Sequence, residues 1–147
     1  MQLDEQLRTE MVALAEQEAP REAVALLSQP KRTPDGQTPT VTLHQAKNAS
    51  EEPETSFLIH PAEQTLLLTE IWRAGEELVG IFHSHPRSSP EPSERDRAIA
   101  AGHPQPLTWV IVGLPKCSRG CNGSTDARCP ECKDWGYVER FWVGELP

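Results

Sequence analysis

The chain has 147 residues, 37% of them hydrophobic and 24% charged, with a formal net charge of −8. That length suits one domain with a genuine core and is too short for an eight-stranded α/β barrel, while the acidic balance argues against nucleic-acid binding. No apolar run approaches the roughly 20 residues of a membrane span. The longest runs from Leu107 to Leu114 with polar interruptions, and the segment Met1 to Glu5 lacks the basic and apolar regions of a signal peptide, so no membrane partner and a cytoplasmic location are expected.

Leu3, Leu7, Met11 and Leu14 recur at helical spacing, which predicts an amphipathic helix that stops before Pro20. Strands are expected at 22–28 and 40–45, joined by the turn-rich segment 29–36. Asn48 to Thr55 reads as an acidic polar loop. Phe57-Leu58-Ile59 suits a short strand, and Pro61 opens a second helix with Leu67, Ile71 and Trp72 as its inward stripe. The apolar run Leu78 to Phe82 predicts a buried strand. A helix follows from its N-cap Ser93 to Gly102, then strands from Leu107 to Gly113 and from Tyr137 to Val143. Helices interleaved with such strands indicate an α/β or α+β layered domain over 1–147, with no internal repeat.

The segment from His83 to Asp96 carries the chemistry. Two residues apart on a strand, His83 and His85 share a face and can converge on one ion while Ser84 points away. Asp96 falls at the N3 position of the following helix, and Ile99 and Ala100 place it on the apolar side, where a carboxylate needs a partner. Three nitrogen and oxygen ligands leave one position of a tetrahedral zinc open, which separates a hydrolytic zinc from a structural one. Taken singly the signals are weak: Ser-x-x-Asp is most often a capping box, and His-x-His occurs by chance.

Together, His83-Ser84-His85-Pro86, six residues, then Ser93-x-x-Asp96 resembles the signature of the JAMM metallopeptidases, also called the MPN-plus family, at every defining position. The resemblance implies a cytidine-deaminase-like fold, a curved mixed sheet flanked by helices. It implies that His83, His85 and Asp96 hold a zinc, that Glu22 moves protons, that Ser93 donates to the oxyanion, and that Ser84 supports the site from behind. Glu22 is placed by its Pro-x-Glu lead-in and the Leu26-Leu27 that follows, with Glu18 as the competing glutamate; many bacterial members carry Cys-Gly where this chain has Val24-Ala25. The implied activity is zinc-dependent hydrolysis of a peptide or isopeptide bond after the C-terminal Gly-Gly of a ubiquitin-like or sulfur-carrier protein. Two alternatives are a non-catalytic scaffold of the same fold and a hydrolase releasing a cysteine or amino-acid adduct from a sulfur carrier.

All four cysteines, Cys117, Cys121, Cys129 and Cys132, fall in a loop at 115–136 that the family pattern does not include. Their spacing reads as a structural zinc site, with disulfides or a redox pair as alternatives. His44, His60 and His103 read as ordinary polar residues, and Trp72, Trp109, Trp135 and Trp142 as core or near-core aromatics.

Overall fold

A computed structural model of the chain describes residues 1–117 and 138–147. Its elements are α1 (Glu5–Glu18), β1 (Val24–Pro30), β2 (Thr42–Ala46), α2 (Pro61–Arg73), β3 (Glu76–His85), α3 (Glu94–Ala101), β4 (Thr108–Gly113) and β5 (Arg140–Glu145). The strands form one mixed sheet in the order β2-β1-β3-β4-β5, antiparallel except between β3 and β4. Parallel neighbours need a crossover rather than a hairpin, and α3 supplies it. That crossover starts where the histidines end.

Alternation along the strands splits the core in two. Ala25, Leu27, Phe82, Val110 and Val112 pack against Leu7, Met11, Leu14 and Ala15 of α1. Val24, Leu26, Ile81 and Trp109 pack against Ile71 of α2 and Ala100 of α3 on the other face. His83 and His85 share the parity of Ile81, so they belong to the face that α3 covers. This is the expected mixed sheet flanked by helices.

Local expectations need several corrections. β1 begins at Val24 rather than at residue 22, which leaves Glu22 just ahead of the ladder. Phe57 to Ile59 forms no strand; among the described residues it pairs through one bridge, from Asn48 to Ile59. Trp72 is 73% exposed, with the Lys31 ammonium 5.8 Å from its ring centre. Ile71 takes the inward position, and the next residue of a helix lies about 100° further round. His44 is absorbed into the sheet, with Nε2 2.7 Å from the Ser28 hydroxyl, which also bonds Glu76. His60 caps α2, its Nδ1 accepting from the Ala62 amide at 3.1 Å. Tyr137, Trp135, Cys121, Cys129 and Cys132 lie outside the described residues, so the zinc expected of the cysteine loop does too. No helix among the described residues is long and apolar enough to cross a membrane.

Candidate metal centre

The end of β3 is buried from Gly80 to His85, held between β1 and β4. His83 lies opposite Val24 and Ile111, and His85 opposite Gly113. A side chain at Gly113 would put its Cβ 2.5 Å from the Pro90 nitrogen and 2.6 Å from the Ser88 carbonyl oxygen. Glycine is therefore what lets the loop after β3 fold down onto β4. That loop brings the Ser89 carbonyl oxygen to 2.9 Å from His85 Nδ1 and delivers Ser93 to the start of α3.

At the helix start the capping box and the inward carboxylate turn out to be one arrangement. The Ser93 hydroxyl oxygen accepts from the Asp96 amide at 3.1 Å, and Asp96 Oδ2 accepts from the Ser93 amide at 2.7 Å. The cap fixes the Asp96 rotamer so that Oδ1 lies 3.1 Å from His83 Nε2 and Oδ2 lies 3.3 Å from His85 Nε2. The two Nε2 atoms are 3.2 Å apart. Among the described residues, these three side chains are the group of such donors that converges.

The chemistry of the trio fits a cation. Donors about 2.0–2.2 Å from a tetrahedral zinc lie about 3.3–3.6 Å from one another, close to the spacing found here. A carbonyl only accepts, so His85 Nδ1 carries a proton towards Ser89, and in the neutral ring Nε2 then presents a lone pair. That lone pair faces a carboxylate oxygen and a second imidazole nitrogen. Each proton placed on one edge of the triangle leaves another edge unfavourable, whereas one ion among the three atoms satisfies them all. The protonation trends describe the alternative occupant, protons shared between the imidazoles and the carboxylate. Burial resists ionisation of Asp96, but hydrogen bonds from His83 and His85 outweigh it and hold the carboxyl far below its usual range. Burial also holds His83 down; at His85 it is overcome by the bonds to Asp96 and Ser89, which raise the ring.

Glu22 is brought to the same place. It lines a cleft of about 350 Å³ together with His85, Ser93, Pro20, Thr55 and Arg87. Burial, opposed by His85 and helped by Asp96, pushes its carboxyl up to about 7, and Oε2 is buried without a hydrogen-bond partner among the described residues. Such an orphaned oxygen suits a group that takes a proton from something bound in the cleft. Glu18, the competing glutamate, ends α1 half-buried and does not line this cleft. Ser84 sits behind the ligand face, its hydroxyl accepting from the Ala23 amide at 2.8 Å. Cys117 is buried after β4.

Sequence reasoning missed three neighbours. The Phe57 ring lies 4.7 Å from the His83 ring and the Trp109 ring stands edge-on to it at 6.0 Å, so two aromatics keep that imidazole dry. Asn48, read as loop, is buried and bonds the Glu22 carbonyl. Of the three, Phe57 and Trp109 carried a signal in their apolar runs; Asn48 carried none beyond its turn-forming type.

A mixed sheet with both histidines on the strand before a parallel crossover, and the carboxylate on the crossover helix, defines a JAB-type domain with a donor set that could hold a metal. The chain belongs to the family of prokaryotic homologs of the JAB domain, whose sequence pattern matches residues 4–122. It is similar to a desampylase of Haloferax volcanii, 40% identical over 68 residues that make up 46% of this chain and 49% of that protein. The match thus spans about half of that relative's length. A solution structure from Desulfitobacterium hafniense has a TM-score of 0.60 at 28% identity, covering 74% of this chain and 71% of that one. Another, from Salinibacter ruber, has a TM-score of 0.50 at 27% identity over 77% of this chain and 72% of its own.

Proposed function

We propose that this chain is a zinc-dependent hydrolase that cleaves the peptide or isopeptide bond following the C-terminal Gly-Gly of a ubiquitin-like or sulfur-carrier protein. The observation that carries the reading is the convergence of His83, His85 and Asp96 beside a buried, proton-retaining Glu22, with Glu22, His85 and Ser93 lining one cleft. Similarity to a desampylase supports a ubiquitin-like conjugate as substrate. The complete donor set speaks against a scaffold that has lost its metal.

His83 Nε2, His85 Nε2 and one Asp96 oxygen would hold the metal. Zinc in that position would lower the pKa of a bound water towards about 7 and polarise the scissile carbonyl. Glu22 accepts the proton released by the attacking water and returns it to the departing amine, a task suited to a carboxylate whose pKa stands near neutrality. Ser93 uses its oxygen as acceptor in the helix cap, so its O–H hydrogen stays available to donate to the developing oxyanion. An extended tail without side chains would approach through the cleft beside Pro86 and Thr55 with no steric conflict of its own.

The test is to measure zinc per chain and then assay fusions joined through Gly-Gly to candidate carriers, with and without chelator. Chelator-sensitive cleavage after Gly-Gly is expected. Metal-loaded protein that cuts unrelated peptides and no Gly-Gly fusion would overturn the substrate reading.

A further inference from the structure

We propose that Asn48 is a positioning residue that sets Glu22 and the adjoining cleft wall in register with the metal trio, a role that rests on reading Glu22 as the proton carrier. The charged segment after it looks like a solvated linker, yet Asn48 at its root is only 3% exposed. Its carboxamide is fully used. Nδ2 donates to the carbonyls of Glu22 at 3.0 Å, Ser56 at 2.9 Å and Pro53 at 3.3 Å. Oδ1 accepts from the amides of Ser50 at 3.0 Å and Leu58 at 3.2 Å.

Glu22 depends on this arrangement because it precedes β1 and has no place in the ladder. Its carbonyl is taken by Asn48, and its amide donates to the Pro53 carbonyl at 2.6 Å, the same carbonyl that Asn48 grips. The neighbouring Arg21 donates through Nη2 to the Asn48 carbonyl at 2.7 Å. Both backbone groups of the proton carrier are thus fastened to one side chain and the loop it organises. Glu54 and Thr55 of that loop line the cleft with Glu22, so the proton carrier and the wall are held as a unit. The exposed pair of Arg95 with Glu52, at 3.2 Å, ties the loop to α3 only weakly.

None of the Asn48 bonds reaches His83, His85 or Asp96, which gives the role a signature. Asn48→Asp keeps an acceptor for Ser50 and Leu58 and removes the donor for three carbonyls. Displacing a reacting group by about 1 Å can cost about 100-fold in rate. The experiment measures kcat, KM and zinc content for wild type and Asn48→Asp on a Gly-Gly-linked fusion. We expect kcat to fall about 10- to 100-fold, any rise in KM to be smaller than the fall in kcat, and zinc to be unchanged. A folded, zinc-loaded variant with kcat near wild type overturns the proposal, and so does zinc content falling in step with kcat. If Asn48→Asp does not fold, Arg21→Met, which among the described residues removes the bond to the Asn48 carbonyl, is read the same way with a several-fold loss of kcat expected. Should wild type cut no such fusion, the functional reading fails first, and Asn48 is then judged by crystal structures of both forms. Displacement of the Glu22 carboxyl with an unmoved trio supports the role; an unmoved Glu22 overturns it.

Discussion

A carboxyl group taken out of water beside Asp96 resists ionisation, which is why Glu22 stands at about 7 rather than at its ordinary 4.5. Between those two values the folded chain holds a proton that the unfolded chain has released. The metal-free protein therefore loses stability as pH rises through that window, and the deficit persists above it. Glu22→Gln has no such proton to lose. In chelator it is expected to be more stable than wild type at pH 8, by a few kcal/mol at most in thermal unfolding, with the advantage gone below about pH 4.5. A difference independent of pH would show that burial is not the cause. The same variant should keep its metal and lose about 10²- to 10⁴-fold in kcat, because the donor trio is untouched while proton transfer is abolished. A bound cation favours the carboxylate, so the acid limb of wild-type kcat/KM should lie at or below pH 7.

The site is assembled by the junction of β3 with α3, and the parts of it that were legible in the sequence are those marked by chemically unusual residues. His83 and His85 announce the strand face, and Ser93 with Asp96 and Gly102 marks both ends of the helix. Glu22 was placed by its flanking residues, although β1 starts two residues later than the pattern suggested. The segment from Asn48 to Ile59 was not legible, because it is shaped by one carboxamide bonding backbone groups distant in sequence, and such bonds leave no periodicity. Trp72 misled because an apolar stripe on a short helix is compatible with two neighbouring frames, and packing of Ile71 chose between them. Gly113 is the element-scale counterpart of these observations, since nothing in its own strand calls for it and the loop above it does. Gly113→Ala forces its Cβ against Pro90 and Ser88 and must lift the loop that carries the Ser89 carbonyl. We expect about 1–3 kcal/mol of destabilisation together with weaker metal binding as His85 loses its orienting acceptor. Zinc titration of a folded Gly113→Ala protein checks this, and unchanged affinity would mean that the loop does not orient the ligand.

At the scale of the molecule, the sheet separates a face packed on α1 from a face that holds the metal trio, and this predicts how metal and core contribute to stability. A ligand that binds only the folded chain adds about 2.7 kcal/mol at a hundredfold excess over its Kd. In a chain of this size that is roughly 5–15 °C in Tm. The trio joins β3 to α3, so the part of the zinc increment belonging to this site is the part that Asp96→Ala removes. Met11 is fully buried on the opposite face, among Leu7, Leu14 and Phe82. Met11→Ala should cost about 2–5 kcal/mol by leaving a cavity there. Because it belongs to the cluster on the other side of the sheet from His83, His85 and Asp96, the two effects should add. Thermal unfolding of wild type, Met11→Ala, Asp96→Ala and the double variant, each in zinc and in chelator, measures the sum directly. Additivity within about 0.5 kcal/mol is expected. A zinc increment that shrinks in Met11→Ala would instead reveal that packing on α1 transmits through Phe82 and its neighbours on β3 to the ligands beside them, and that the two faces form one cooperative unit around the metal.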